Sequence, residues 1–169
     1  EKLSENRCFP VDGIFDKWFL PNETYAPYRY QAFQSQANIL DFKNLKRLET
    51  DVMEYIGVST EAETGLIVEH LLECVNNKLP AHFFIYQILN ERSKDDFLSI
   101  QKLKGKPCIY IESKKKYVRP NQIYTIPQKL GKYSYTVPES LNFYKELFFR
   151  LGVKDNPDST DYIDILLDI

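Results

Sequence analysis

Histidine and cysteine are scarce: the 169 residues hold only His70, His82, Cys8, Cys74 and Cys108. An odd number of distant cysteines with no Cys-x-x-Cys spacing excludes a disulfide framework and a zinc-knuckle set, and reads as reduced thiols of an intracellular protein. Any His-dependent site must use one of two residues. His70 and Cys74 stand four apart on one helical face, but two ligands do not close a metal site, and both histidines are expected to be structural. A Cys–His enzyme would need Cys74 or Cys108 to meet a histidine in space. The six glycines form neither a G-x-x-x-x-G-K-[ST] nor a G-x-G-x-x-G loop, and no calcium loop is present. The chain is thus expected to bind no cofactor and no metal and to be no enzyme.

Long apolar runs are missing too. None approaches the roughly 18 residues that span a bilayer, and the N-terminus lacks the succession of a signal peptide, so no membrane partner is expected. The formal glycosylation acceptor Asn22-Glu23-Thr24 therefore carries little weight. Net charge is −2 and the pI about 5.8, so no global field draws the chain to nucleic acid. The start at Glu1 and the apolar end Ile165-Leu166-Leu167-Asp168-Ile169 suggest a piece of a longer protein. What is plentiful is apolar and aromatic surface, 43% and 14% of residues, enough for a folded core.

One phrase occurs twice. Trp18-Phe19-Leu20-Pro21-Asn22-Glu23-Thr24-Tyr25 matches Tyr117-Val118-Arg119-Pro120-Asn121-Gln122-Ile123-Tyr124 at an offset of 99. Cys8-Phe9 meets Cys108-Ile109, Gly57-Val58 meets Gly152-Val153, and Leu71-Leu72 meets Leu166-Leu167 at nearby offsets. Offsets that drift in small steps are those of two copies whose loops absorb length changes. Each copy reads as a β-hairpin stopped by Pro-Asn, with Pro21, Asn22 and Tyr25, or Pro120, Asn121 and Tyr124, at its end.

Helices follow. Leu45, Leu48, Val52, Tyr55 and Ile56 have helical spacing, as do Leu141, Tyr144, Leu147, Phe148 and Leu151, and Gly57 and Gly152 sit where a left-handed C-cap wants glycine. Thr60-x-x-Glu63 predicts a capping box opening a helix with Ile67, Leu71, Cys74 and Val75 on one face. Asp158-Ser159-Thr160 precedes a matching helix with Tyr162, Ile163, Leu166 and Leu167. Asp155, Asp158, Asp161, Asp164 and Asp168 around it are expected to be solvated charge. Residues 80–92 are apolar on nearly every side, the pattern of a buried helix joining the copies. The expected fold is α+β with helices in the majority: a first hairpin-helix unit (1–79), a connecting helical segment (80–105) and a second hairpin-helix unit (106–169).

One basic stretch stands out. Residues 102–119 carry Lys102, Lys104, Lys106, Lys114, Lys115, Lys116 and Arg119 against Glu112 alone. With Tyr110 and Tyr117 interleaved, it could hold a nucleic-acid backbone and stack a base, with Lys114, Lys115, Lys116, Tyr117 and Arg119 as contacts. The plainer account is a solvated hairpin tip, and the matching turn of the first copy is not basic.

The Cys-Phe/Ile opening, the aromatic strand, Pro-Asn-x-x-Tyr and the helix into Leu/Ile-Gly-Val resemble repeats of sacsin and of NO VEIN-type large proteins. The resemblance covers residues 7–75 and 106–168. In those proteins such repeats lie downstream of a GHKL-type ATPase domain, whose signature is not found in this chain. The resemblance implies a non-catalytic scaffold or protein-interaction segment, chaperone-related and cytoplasmic, whose partners are other domains of the same protein and protein clients. The alternative is a nucleic-acid-contacting module using the basic hairpin, as in a bacterial defence protein.

Overall fold

The computed structural model describes residues 5–41 and 49–167. Six α-helices and six short strands, joined by single-turn 3-10 helices, make the described residues α+β with helices in the majority, as the patterning predicts. Among the described residues no sheet exceeds two strands, and aliphatic side chains from helices, strands and the segments between them make up most of the core. The chain divides into two compact units, Glu1–His70 and Leu71–Ile169.

In the first unit β1 (Phe9–Val11) and β2 (Ile14–Phe19) form an antiparallel hairpin pairing Phe9 with Phe19. Pro21 opens a 3-10 turn, Pro21–Glu23, where its missing N–H needs no partner. Tyr25 then runs extended, bridged in parallel to Ile39 and to Ser59. Helix α1 (Thr50–Ile56) ends at Gly57, whose φ of 95° is the left-handed cap expected. Leu45 and Leu48, the expected start of this helix, lie outside the described residues. Phe9, Ala26, Leu40, Met53, Ile56 and Val58 bury one another, with Cys8 packed against them.

Helix α2 (Thr64–Asn76) starts later than the Thr60 capping box predicts. The bonds from Ser59 N–H to the Thr24 carbonyl and from Ala26 N–H to the Ser59 carbonyl hold residue 59 extended. Thr60 instead gives its hydroxyl to Glu54 at 2.7 Å. The first turns of α2 belong to the first unit and its later turns to the second.

The second unit continues with α3 (Phe83–Arg92), α4 (Phe97–Ile100) and an antiparallel hairpin of β3 (Ile109–Ile111) and β4 (Lys116–Val118). A parallel pair follows, β5 (Ile123–Tyr124) with β6 (Tyr135–Thr136), then α5 (Lys145–Leu151) and α6 (Ser159–Leu167). Ile85, Tyr86, Ile88 and Leu89 of α3 are buried, while Phe83 is exposed. Residues 80–105 pack as part of this unit. The Asn90 side chain accepts the Leu147 N–H at 3.0 Å, and the Tyr86 and Phe148 rings meet edge-on at 5.8 Å. The Tyr86 hydroxyl donates to the Cys108 carbonyl at 2.9 Å and accepts from the Tyr110 N–H at 3.0 Å, which ties α3 to β3. The helix expected over residues 141–151 is α-helical only as α5; Glu139–Tyr144 is 3-10. An α-helix from 141 would send the Leu147 N–H to the Phe143 carbonyl, but Asn90 takes it.

The two copies show one hydrogen-bond frame. Cys8 N–H bonds the Phe19 carbonyl at 3.2 Å, and Cys108 N–H the Val118 carbonyl at 3.1 Å. Glu23 accepts the Leu20 N–H at 2.9 Å, as Gln122 accepts the Arg119 N–H at 3.3 Å. Ala26 N–H reaches the Ser59 carbonyl and Thr125 N–H the Lys154 carbonyl, at 2.9 and 3.0 Å. Leu40 and Val137 donate to the carbonyls of Tyr25 and Tyr124, and Val58 and Val153 to those of Met53 and Phe148. The paired residues stand 95 to 100 apart, the range over which the offsets of the sequence phrases drift.

Candidate functional site

The residues of the repeated phrase do structural work. Pro21 and Pro120 are buried at the first position of their 3-10 turns, and Asn22 and Asn121 are exposed on them. Tyr25 and Tyr124 are the extended residues between two neighbouring segments. Gly57 and Gly152 close α1 and α5 at φ of 95° and 111°.

The basic hairpin divides into bound and solvated members. Lys114 and Lys115 are exposed at the turn, Lys115 left-handed at φ 49°. The Lys116 ammonium donates to the Tyr135 hydroxyl at 2.5 Å and lies 4.6 Å from that ring's centre. Tyr117 is no open stacking platform: its hydroxyl donates to the Leu79 carbonyl at 2.7 Å, its ring packs 5.1 Å from Tyr110, and burial pushes its hydroxyl pKa well up. Arg119 is exposed and lines a cleft of about 420 Å³ with Asn121, Tyr124, Tyr133, Asp161 and Asp164.

Both histidines hold hydrogen bonds to neighbouring groups, and Cys74 and Cys108 are buried. His70 is buried, with Nδ1 2.6 Å from the Ser35 hydroxyl and Nε2 3.1 Å from the Gln31 carbonyl. An Nε2–H tautomer satisfies both, donating to the carbonyl while Nδ1 accepts from the serine. His82 caps α3, its Nδ1 accepting the Phe84 N–H at 3.3 Å. Burial raises the Cys74 thiol and pushes Cys108 up to about 12, the opposite of the lowered pKa that a nucleophilic thiol needs. Among the described residues no group of three or more His, Cys, Asp or Glu side chains could hold a metal ion. No helix among them is long and apolar enough to cross a membrane.

One cluster differs from its sequence reading. Asp161, expected to be solvated, is buried. Lys154 Nζ lies 2.9 Å from both Asp161 carboxylate oxygens and 2.8 Å from Asp158. Asp158 accepts the N–H groups of Thr160 and Asp161, Asp161 accepts that of Asp158, and the Tyr124 hydroxyl bonds to Asp161. Burial first, and then the Asp161 charge, push the Tyr124 hydroxyl up to about 12. The signal missed is the capping spacing Asp158-x-x-Asp161, which folds the second acid back over the helix start onto Lys154. The first copy has Ser59 and Leu66 at the places of Lys154 and Asp161, so the cluster is not part of the shared frame.

Larger in extent is the apolar surface left open. In α6 only Asp161 is buried, and Tyr162, Ile163, Leu166 and Leu167 face solvent. In the first unit Phe15 and Trp18 of β2 and Tyr55 of α1 are exposed, as are Leu98 and Phe143 in the second. Such concentrations of large apolar side chains mark contact surfaces more often than catalytic ones. Compared with known proteins, the chain matches no family model, no curated protein and no solved structure.

Proposed function

We propose that the chain is a non-catalytic protein-interaction segment, one stretch of a larger sacsin-like protein of the cytoplasm. In this reading it couples nucleotide-driven changes in another domain to protein clients. The observation that supports it is the contrast between frame and chemistry. Two copies keep the same backbone bonds, yet the Lys154–Asp161 cluster and the basic turn occur in the second copy alone. What both copies present is exposed apolar and aromatic surface. A surface that works by shape needs the frame and tolerates drift in polar groups.

The test places a photo-crosslinking amino acid at Tyr55, Leu98, Phe143 or Lys115 in the full-length protein in its own cells. Discrete protein adducts are expected from the three apolar positions and no nucleic-acid adduct from position 115. No protein adduct at any of the three would overturn the reading. A nucleic-acid adduct at 115, with binding that falls with salt and is lost when Lys114, Lys115 and Lys116 become Glu, would replace it with the nucleic-acid alternative.

A further inference from the structure

The first unit holds a serine, an imidazole and a carbonyl in series. Ser35 is exposed, and its Oγ lies 2.6 Å from Nδ1 of His70, which is only 5% exposed. Across the ring, Nε2 stands 3.1 Å from the Gln31 carbonyl. The Gln36 amide donates to the same Ser35 Oγ at 3.1 Å, so that oxygen accepts from Gln36 and commits its own proton to His70. A nucleophile bonded to a base, with the base held by a third group, is the arrangement that activates a hydroxyl. Here the carbonyl fixes the tautomer in which Nδ1 is the acceptor, and it keeps its bond to Nε2–H when the ring takes up a second proton.

The second copy shows that the frame does not require this series. Helix α6 begins at Ser159 and α2 at Thr64, and the same offset of 95 carries His70 to Ile165. The flanking pairs Leu40–Val137 and Tyr25–Tyr124, at offsets of 97 and 99, carry Ser35 to residues 132–134. Tyr133 there lines one cleft with Ile165. One place in the frame is thus filled by an aliphatic side chain in the second copy and by a buried imidazole in the first. Burying a polar ring costs free energy that isoleucine avoids. What the first copy gains for that cost is the bonded pair of Ser35 and His70.

We propose that Ser35 is an activated nucleophile that accepts an acyl group from an activated ester, with His70 as its base. The Ser35 Oγ attacks the ester carbonyl carbon while its proton passes to His70 Nδ1. The bond to the leaving oxygen then breaks and His70 gives that oxygen the proton. An alcohol departs, Ser35 carries the acyl group as an ester, and the imidazole ends neutral as it began. At 5% exposure His70 offers a hydrolytic water little access, so the acyl group stays and one chain takes one group. Acceptance of this kind modifies the segment without turnover. It goes beyond the interaction reading and does not rest on it.

The experiment adds p-nitrophenyl acetate to the 169-residue chain and follows each acetylated peptide by mass spectrometry. Ser140 and Ser159, both exposed, report the reactivity of ordinary serines in the same molecule. Ser35 is expected to acetylate at least about a hundredfold faster than either, the low end of what a positioned base contributes. The p-nitrophenolate release that Ser35→Ala removes should stop at a single group per chain. In His70→Gln the amide can hold a hydrogen bond but cannot take up a proton, so Ser35 should fall to the rate of Ser140. Should that variant lose the wild-type circular dichroism, the ratio of Ser35 to Ser140 in the unaltered chain decides alone. Ser35 no faster than Ser140 overturns the proposal, as does a folded His70→Gln chain that still acetylates fast at Ser35. Release at Ser35 that continues past one group per chain overturns acceptance and, by showing turnover, the non-catalytic reading with it. Absence of protein adducts at Tyr55, Leu98 and Phe143 overturns the interaction reading alone.

Discussion

The first copy and the second solve one backbone problem with different side chains. Where the first turns its hairpin on Gly13 at φ 79°, the second uses a 3-10 turn and a left-handed Lys115 at φ 49°. Met53 fills the place that Phe148 fills, and Cys8 is half-buried where Cys108 is buried. Glu23, clamped by Arg7 at 2.8 and 2.9 Å, stands where the second copy has uncharged Gln122. The difference teaches that the frame depends on a few backbone-determining residues, Pro21 and Pro120, Gly57 and Gly152. The side chains around it are free to specialise. The second copy has spent that freedom on a deeper core, with α3 supplying Tyr86 against Phe148, and on a polar cap at α6.

The sharpest test of this asymmetry is the equivalent pair of core positions. Phe148→Ala removes a ring buried against Tyr86 and is expected to cost about 3–5 kcal/mol. Met53→Ala removes a smaller, unbranched side chain and should cost about 2 kcal/mol, the low end for such truncations. Urea unfolding followed by amide exchange reads each unit separately. Equal losses at the two positions would break the claim that the second copy is the better packed.

The glycine caps test the other half of the comparison, the sameness of the frame. Gly57→Ala and Gly152→Ala each force a side chain into the left-handed region, at about 1–2 kcal/mol. A Cβ at Gly57 would meet the Pro21 Cβ at 3.8 Å, an ordinary contact, and one at Gly152 would meet nothing. Backbone strain is therefore the whole cost at both sites, and the two variants should match within a few tenths of a kcal/mol. Urea midpoints that differ by a full kcal/mol would show that the two caps are not one device.

Much of this was legible before any coordinates, for physical reasons. Proline and glycine act locally, so Pro21 and Pro120 mark the turns that follow the hairpins and Gly57 and Gly152 mark the helix caps. The starts of α2 and α5 differ from the sequence pattern because a partner distant in sequence decides them. The extended pairing of Ser59 with Tyr25 delays α2, and the Asn90 side chain intercepts the Leu147 N–H ahead of α5. The parallel pair β5–β6 joins two-residue strands that carry no period long enough to read. Asp161 reads as solvated charge in the sequence because its partner Lys154 precedes the helix on a different local structure. The bare face of α6 was visible as an apolar stripe, but whether such a stripe is covered is a tertiary fact. Composition cannot distinguish the buried Leu71 from the exposed Leu166.

The smallest expected effect separates the copies by pH. In the first copy the Leu20 N–H, and after it the Arg7 guanidinium, hold the Glu23 carboxyl below its ordinary value. A depressed carboxyl favours the folded turn above roughly pH 4 and loses that contribution as pH falls through its native pKa. Gln122 makes the same backbone bond without a charge, so the second turn should not respond to acid, and Glu23→Gln should make the first behave like it. At the α6 cap the second copy responds at both ends. The Lys154 ammonium, and after it the Asp161 N–H, hold Asp158 low, so acid loosens the cap. Asp158 first, with Asp161, raises Lys154, whose contribution is present below roughly pH 10.5 and goes as pH rises above its native pKa. Amide exchange at Leu20, Arg119 and Thr160, compared at acid, neutral and alkaline pH, reads all three places. Acid should release Leu20 and Thr160 but spare Arg119, and Lys154→Met should abolish the alkaline response at Thr160. Acid release of Arg119 equal to that of Leu20 would mean that the charge on Glu23 does nothing the amide of Gln122 does not, and that the two turns differ in sequence alone.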